Sequence, residues 1–126
     1  MSEPVRGVVV THADLAAALV GAVRAIAGHD GGLVPLSNAG CDRAGLARLL
    51  EGAVGAGPAL VFTDLAGGSC TAVAAAVARG RPATRVVSGV NLGMLLDFVF
   101  HREEPLEAAA VRAAAAGRDA VREIGR

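Results

Sequence analysis

The sequence lacks the aromatic and basic patterns that mark proteins binding nucleic acids. Its 126 residues include no tryptophan or tyrosine and three phenylalanines, Phe62, Phe98 and Phe100. They therefore offer no aromatic platform on which bases could stack. Twelve basic residues, all of them arginine, balance twelve acidic ones, and the arginines form no run. This balance argues against a nucleic acid or a membrane surface as the partner.

Cysteines and long apolar runs are also scarce. Cys41 and Cys70 are the two cysteines of the chain, and they form neither a disulfide framework nor a metal-ligand spacing. No apolar run approaches the roughly 18 residues that a membrane-spanning helix needs. The N-terminus, Met1-Ser2-Glu3-Pro4, lacks the pattern of a signal peptide. We therefore expect a reduced, cytoplasmic compartment.

Apolar residues, by contrast, are abundant and periodic. They make up 53% of the chain, which is enough to bury the core of a single domain over residues 1–126. Short β-branched runs alternate with longer stretches of helical spacing. The predicted strands are 6–10, 33–36, 59–63 and 85–88, and the predicted helices are 13–27, 42–54, 72–78, 92–100 and one that begins at Pro105. This alternation predicts an α/β fold, a doubly wound and mainly parallel sheet of four strands with helices on both faces.

The C-terminal segment allows two structures. Gly117 interrupts the alanine-rich last helix, and residues 119–126 either continue that helix or form a fifth strand. The spacing of Val121 and Ile124, taken alone, favours the helix.

A histidine and an aspartate each follow a predicted strand. His12 comes after the first strand and Asp64 after the third. In open α/β sheets, ligands bind beyond the carboxyl ends of the strands, where the strand order reverses. Thr11 and Asp14 have the spacing of a capping box, which would place His12 in the first turn of a helix, where the helix dipole disfavours an imidazolium. We therefore predict a neutral His12 whose tautomer is fixed by Asp64, leaving one ring nitrogen free to attack.

A glycine-rich turn follows Asp64. Gly67-Gly68-Ser69 opens the third predicted helix and offers backbone N–H groups and a hydroxyl to an anion. Such a turn can hold a transferring phosphoryl group, whose developing charge needs fixed donors. We therefore predict His12, Asp64 and Ser69 as catalytic residues, and Thr11, Leu65, Gly67 and Gly68 as phosphoryl-binding residues.

Each feature also has an ordinary structural interpretation. A histidine at a strand–helix junction, an aspartate in a turn and a Gly-Gly-Ser helix start all occur without such chemistry, and only their joint placement favours a site. Cys70 is a second candidate nucleophile, because a helix N-terminus favours a thiolate, but it is disfavoured because no second basic partner lies near it in the sequence. We interpret His29 as a solvated loop residue and His101 as a cation at a helix C-terminus.

These motifs resemble the enzyme IIA domain of the mannose-type bacterial phosphotransferase system, nearly from end to end. Val8-Val9-Val10-Thr11-His12 is similar to the strand that precedes the family's phosphohistidine, and residues 61–69 are similar to its Asp-x-x-Gly-Gly-Ser loop. Residues 87–95 resemble its Gly-Val-Asn-x-Pro-Met-Leu segment, and residues 116–119 its terminal Gly-Arg-Glu region. Departures occur at Cys70 and Gly93, where the family commonly has proline, and at Ala72, where it often has asparagine.

The resemblance implies a phosphoryl carrier that needs no metal and no bound cofactor. His12 would accept the group from the histidine-containing phosphocarrier protein and pass it to an enzyme IIB subunit, meeting the membrane only indirectly through the permease. Asp64 would orient the imidazole and Ser69 would contact the phosphoryl group. Because both partners are proteins, we expect an apolar docking surface near His12, lined by Leu65, Ala66 and Met94. The resemblance also implies a homodimer that exchanges a fifth strand, residues 119–124, and we prefer this to the helix.

Three other functions remain open at this point. One is a regulatory protein whose phosphorylation state serves as a signal. Another is the phosphotransfer subunit of a dihydroxyacetone kinase, which resembles the same family over its first domain. A module that binds a nucleotide or flavin is disfavoured, because the first strand–helix turn reads Thr-His-Ala-Asp rather than a glycine-rich phosphate loop.

Overall fold

The protein is built on a four-stranded parallel sheet. The structure, a computed structural model, describes residues 3–125. Within that range the strands are β1 (Arg6–Thr11), β2 (Val34–Ser37), β3 (Ala59–Thr63) and β4 (Thr84–Ser88), and the helices are α1 (Leu15–Ala27), α2 (Arg43–Val54), α3 (Ser69–Arg79), α4 (Leu92–Val99) and α5 (Leu106–Asp119). All strand pairs are parallel and their order is β2-β1-β3-β4. The predicted doubly wound sheet is confirmed.

Both faces of the sheet are buried, because successive side chains of a strand point to opposite sides. Val9 and Phe62 belong to one apolar cluster, with residues of α1, α4 and α5, while Val8 and Val61 belong to the other, with residues of α2 and α3. The rings of Phe62 and Phe98 meet edge to face, with their centroids 5.1 Å apart. This two-sided burial explains why the strands are continuous apolar runs.

The sheet order creates a crevice between β1 and β3. The chain runs from β1 outward to β2 at one edge, and then crosses back to β3 on the other side of β1. The pairing brings Val10 opposite Thr63. Residues that directly follow β1 and β3 are therefore neighbours at the point where strand order reverses, the usual place for a ligand in such folds.

The start of α1 differs from the predicted capping box. Ala13 has a left-handed backbone, with φ of +52°, and the helix begins at Leu15. The Thr11 hydroxyl accepts a hydrogen bond from the backbone N–H of Ala16 (2.7 Å), and within the described chain Asp14 makes no side-chain bond that caps the helix. His12 therefore precedes α1 rather than lying in its first turn.

Polar caps fix the starts of two other helices. Asp42 Oδ1, the predicted cap of α2, accepts from the N–H of Gly45 at 2.7 Å. Asn91 Oδ1 accepts from the N–H of Met94 at 2.9 Å and caps α4. The amide nitrogen of Asn91 donates to the carbonyl of Gly117, 2.9 Å away. One side chain therefore ties the start of α4 to the end of α5.

The C-terminal predictions need correction. Gly117 does not interrupt the last helix; it is a buried part of α5, packed against Met94. Residues 121–125 form neither a helix nor a strand, so the helical continuation favoured by spacing is wrong. Val121 and Ile124 are 78% and 86% exposed. An exchanged strand needs a second copy of the chain and stays a prediction. No helix among residues 3–125 is long and apolar enough to span a membrane.

We predict that a methyl group added to β1 at Gly7 destabilises the fold. A Cβ there would lie 2.6 Å from both Leu33 Cδ2 and Phe98 Cε2, so Gly7→Ala should lower the free energy of unfolding by about 1–3 kcal/mol. Gly21→Ala in α1 is the matched control, because no described atom beyond its chain neighbours and the backbone of its own helix lies within 4 Å of its Cβ position, and it should add up to about 1 kcal/mol of stability. Denaturant unfolding measures both; equal stabilities for the two variants would contradict the packing argument.

Candidate functional site

His12 and Asp64 meet at the carboxyl ends of β1 and β3. Asp64 Oδ2 accepts a hydrogen bond from the backbone N–H of His12 at 2.9 Å and lies 2.8 Å from His12 Nδ1. Asp64 Oδ1 accepts from the N–H of Leu65 at 3.1 Å. Two predicted site residues that are 52 positions apart in the sequence are therefore in direct contact.

The protonation of this pair follows from the state of the carboxylate. Burial raises the pKa of Asp64, but the hydrogen bonds from the backbone and ring of His12 outweigh it, and the pKa lies below its usual value. Asp64 is then ionised at neutral pH and can only accept, so Nδ1 must carry a proton. In the neutral ring the lone pair is on Nε2. The His12 side chain is 42% exposed, against 11% for Asp64, which leaves the imidazole accessible to a reactant.

The turn that carries His12 is held from the neighbouring strand. Asn38 directly follows β2. Its side-chain Oδ1 accepts a hydrogen bond from the backbone N–H of Ala13 at 3.2 Å, and its backbone N–H donates to the carbonyl of Thr11. These two bonds stabilise the left-handed residue directly after His12. Thr11 is itself buried, with its hydroxyl bonded to the start of α1. The sequence analysis did not predict a role for Asn38. The feature that could have indicated one is an asparagine in the loop directly after a strand, where such side chains often bond to backbone groups.

A pair of threonines shapes the loop after Asp64. The Thr71 hydroxyl donates to the Leu65 carbonyl at 2.5 Å and lies 2.7 Å from the Thr63 hydroxyl. Because a hydroxyl has one proton, Thr63 is the donor in the second bond. The N–H of Gly68 closes the turn by donating to the same Leu65 carbonyl at 3.0 Å. Thr71 was not predicted as a site residue.

The start of α3 lies against the His12 ring. A Cβ on Gly68 would stand 3.2 Å from His12 Cε1, so glycine permits this close approach. Ser69 is half-buried and is the first residue of α3, with Gly68 as the N-cap, while Gly67 is exposed. The first N–H groups of a helix lack intrahelical partners and favour an anion. The roles of Gly67, Gly68 and Ser69 toward a phosphoryl group remain predictions.

Cys70 forms the floor of the site. Its side chain is wholly buried, and Sγ lies 4.0 Å from His12 Nδ1. Burial raises the pKa of the thiol, the charge of Asp64 raises it further, and a hydrogen bond from Ser69 lowers it by less. Desolvation therefore disfavours the thiolate that the helix N-terminus alone would favour, which argues further against Cys70 as the nucleophile.

The other predicted features fall in three places. Leu65 is 61% exposed and Ala66 is exposed beside it, whereas Met94 is buried in the core and cannot line a docking surface. His29 is an exposed loop residue, whose Nδ1 accepts from the N–H of Gly31. His101 lies two residues beyond α4 and bonds the carbonyl of Asp97 through Nδ1.

The fold and this pair define an α/β protein with an ionised carboxylate orienting a histidine at the switch point of its sheet. The sequence profile described as "PTS system fructose IIA component" matches residues 7–115. The chain belongs to this family and is a phosphotransfer component of the sugar phosphotransferase system (PTS). The predicted family is confirmed. No curated protein sequence matches the chain.

Several solved structures have the same fold as this chain. A mannose/sorbose-specific IIA subunit of the phosphotransferase system from Enterococcus faecalis is 25% identical, with a TM-score of 0.88 over 98% of this chain and 97% of that one. The phosphotransferase component EIIA from Streptococcus agalactiae shares this fold at 24% identity, with a TM-score of 0.88 over 94% and 96% of the two chains. A IIA protein associated with the fucose utilization operon of Streptococcus pneumoniae has the fold at 18% identity and a TM-score of 0.76, over 98% and 96%.

We predict that acid removes a stabilising contribution of Asp64. Its folded pKa is depressed, so this contribution is complete above the unfolded value of about 3.9 and is lost as the pH falls through the folded pKa. Stability measured by urea unfolding from about pH 6 to pH 2 should therefore fall less steeply in Asp64→Asn than in the wild type. Asp14→Asn, which changes an exposed carboxylate, should keep the wild-type slope. If stability fell equally steeply with pH in the wild type and in Asp64→Asn, the depressed pKa of Asp64 would be refuted.

We predict that Thr71 holds the loop of residues 64–68. Thr71→Val leaves the Thr63 hydroxyl without its acceptor and removes a donor from the Leu65 carbonyl, which should cost about 1–3 kcal/mol of stability. Hydrogen exchange at the Gly68 amide should accelerate in the same variant. Thr71→Ser keeps the hydroxyl and should preserve most of both properties. Unchanged Gly68 exchange in Thr71→Val would show that the bond does not hold the loop.

Proposed function

We propose that this chain is a phosphohistidine carrier that works in the cytoplasm. His12 accepts a phosphoryl group from the histidine-containing phosphocarrier protein and passes it to an enzyme IIB subunit for sugar uptake. The observation that carries the proposal is the 2.8 Å contact between Asp64 Oδ2 and His12 Nδ1, because it leaves Nε2 as the unprotonated nitrogen of a neutral ring.

The transfer is a displacement at phosphorus between two histidines. The Nε2 lone pair of His12 forms the new N–P bond while the N–P bond to the donor histidine breaks, and its electron pair returns to the donor nitrogen. Positive charge then develops on the His12 ring, and the Asp64 carboxylate stabilises it through Nδ1–H. Transfer to the IIB subunit runs the same steps with His12 as the donor.

The loop after Asp64 supports the charge of the moving group. Ser69 would contact the phosphoryl oxygens through its hydroxyl, and the N–H groups at the start of α3 would add partial positive charge. Gly67 and Gly68 leave space for the group beside the ring. Thr11 and Leu65 lie at the edge of the site, where Thr11 is bonded to Ala16 and Leu65 to Thr71. Fixed donors of this kind stabilise the equatorial oxygens in phosphoryl transfer.

Two surfaces serve the partners in this proposal. Leu65 and Ala66 are exposed next to His12, which fits apolar contact with the two partner proteins in turn. The exposed Val121 and Ile124 on the C-terminal segment fit a strand exchanged between the two chains of a homodimer.

The decisive experiment is phosphorylation with enzyme I, the phosphocarrier protein and phosphoenolpyruvate, followed by intact mass. The wild type should gain one acid-labile phosphoryl group, and His12→Ala should gain none. His29→Ala, a change at an exposed loop histidine, is the matched control and should be phosphorylated normally. Asp64→Asn should be phosphorylated about 10²-fold more slowly, the usual scale for losing a preorganised electrostatic partner. If the wild type gains no phosphoryl group while the phosphocarrier protein is active on another acceptor, the proposal fails.

A further inference from the structure

We infer that the site around His12 also binds a zinc-like divalent cation, with His12, Asp64 and Cys70 as its ligands. One ligand atom from each of these residues lies within 4.8 Å of the other two. His12 Nδ1 is 2.8 Å from Asp64 Oδ2 and 4.0 Å from Cys70 Sγ. The three side chains come from the ends of β1 and β3 and from the first turn of α3, so the crevice of the sheet assembles the cluster.

The spacing of these atoms fits one shared ion. Zinc bonds to nitrogen and oxygen at about 2.0–2.2 Å and to sulfur at about 2.3 Å, which separates tetrahedral ligands by about 3.4–3.6 Å. The observed 2.8 and 4.0 Å separations bracket that range. Reaching it requires the Nδ1–Oδ2 pair to open by about 0.6 Å and Cys70 Sγ to move toward the other two ligands, from which it lies within 4.8 Å.

The donor set selects the metal. Imidazole nitrogen, thiolate sulfur and carboxylate oxygen together are typical of zinc, whereas magnesium and calcium take oxygen ligands. Binding would release the thiol proton to solvent, while the single ring proton of His12 would move from Nδ1 to Nε2 by exchange with solvent, so that the imidazole stays neutral. The thiolate and the carboxylate then balance both charges of the cation, which suits a site whose sulfur is fully buried.

The site would keep one open position. Three protein ligands leave the fourth tetrahedral position to solvent, on the side where the His12 side chain is 42% exposed. Asp64 is already oriented by the N–H groups of His12 and Leu65, and such outer bonds strengthen metal sites by fixing their ligands.

One consequence rests on the proposed function. An ion on Nδ1 withdraws electron density from the ring and occupies the carboxylate that would stabilise its positive charge. Nε2 then carries the proton of the neutral ring and has no lone pair with which to attack phosphorus, so zinc binding and phosphorylation of His12 oppose each other. The same three side chains would hold the carrier in an unphosphorylated state when zinc is bound.

The test measures metal binding alone, with no phosphoryl donor present. Zinc is titrated into the wild type against a chromophoric chelator, and one ion should bind per chain. Cys70→Ala should lose more affinity than the about 10–100-fold that loss of an outer partner costs, and so should His12→Gln at its half-exposed position. Cys41→Ser, the change at the other free cysteine, is the matched control and should bind as the wild type does.

Cobalt(II) reports directly on the sulfur ligand. The wild type and Cys41→Ser should show a thiolate-to-cobalt charge-transfer band, and Cys70→Ala should lack it. Denaturant unfolding of Cys70→Ala and His12→Gln checks that each variant is folded. Absence of the band in the wild type, or zinc affinity unchanged in folded Cys70→Ala or His12→Gln, would overturn the inference. If the chain binds zinc through these ligands but fails the phosphorylation assay, the zinc site is supported and the proposed carrier function is refuted.

Discussion

The double hydrogen bond that one oxygen of Asp64 accepts from His12 is the interaction on which the site depends. It joins the ends of β1 and β3, since one bond comes from the His12 backbone and the other from its ring. The backbone bond fixes where the residue stands, and the ring bond fixes which nitrogen carries the proton. A single carboxylate oxygen therefore sets both the position and the tautomer of the histidine.

The surroundings of this pair are arranged to keep it in place. Asn38 holds the backbone after His12 from the side of β2, while Thr71 holds the loop after Asp64 from the side of α3. Each side chain acts on a different half of the pair. The two-sided burial of the central strands makes this possible, because it leaves the strand ends as the positions where polar groups can gather.

The sheet and the His12–Asp64 contact could be predicted from the sequence, because both follow from periodicity and a topological rule. Apolar runs separated by helices imply parallel strands, and parallel strands align their carboxyl ends. The prediction of a capping box at Thr11 was wrong because Ala13 donates its N–H to Asn38 Oδ1, a tertiary hydrogen bond that stabilises the left-handed backbone of Ala13. The alternative of a Cys70 thiolate is disfavoured further by burial, which raises the pKa of the thiol and which sequence position does not reveal. Gly117 fits inside α5 because packing against Met94 favours a residue with no side chain there.

Asn91 and its neighbour Val90 connect the C-terminal end of α5 to the end of β3. Its amide caps α4 through one atom and holds the carbonyl of Gly117 through another, and the next residue back, Val90, donates its N–H to the carbonyl of Thr63 at the end of β3. The place where the C-terminal segment leaves the molecule is therefore coupled to the strand that ends in Asp64. A force applied to that segment would therefore reach the edge of the crevice through Asn91 as well as through the packing of α5 against the sheet. The C-terminal segment and the strand that ends in Asp64 are thus held by the same asparagine and its neighbour Val90.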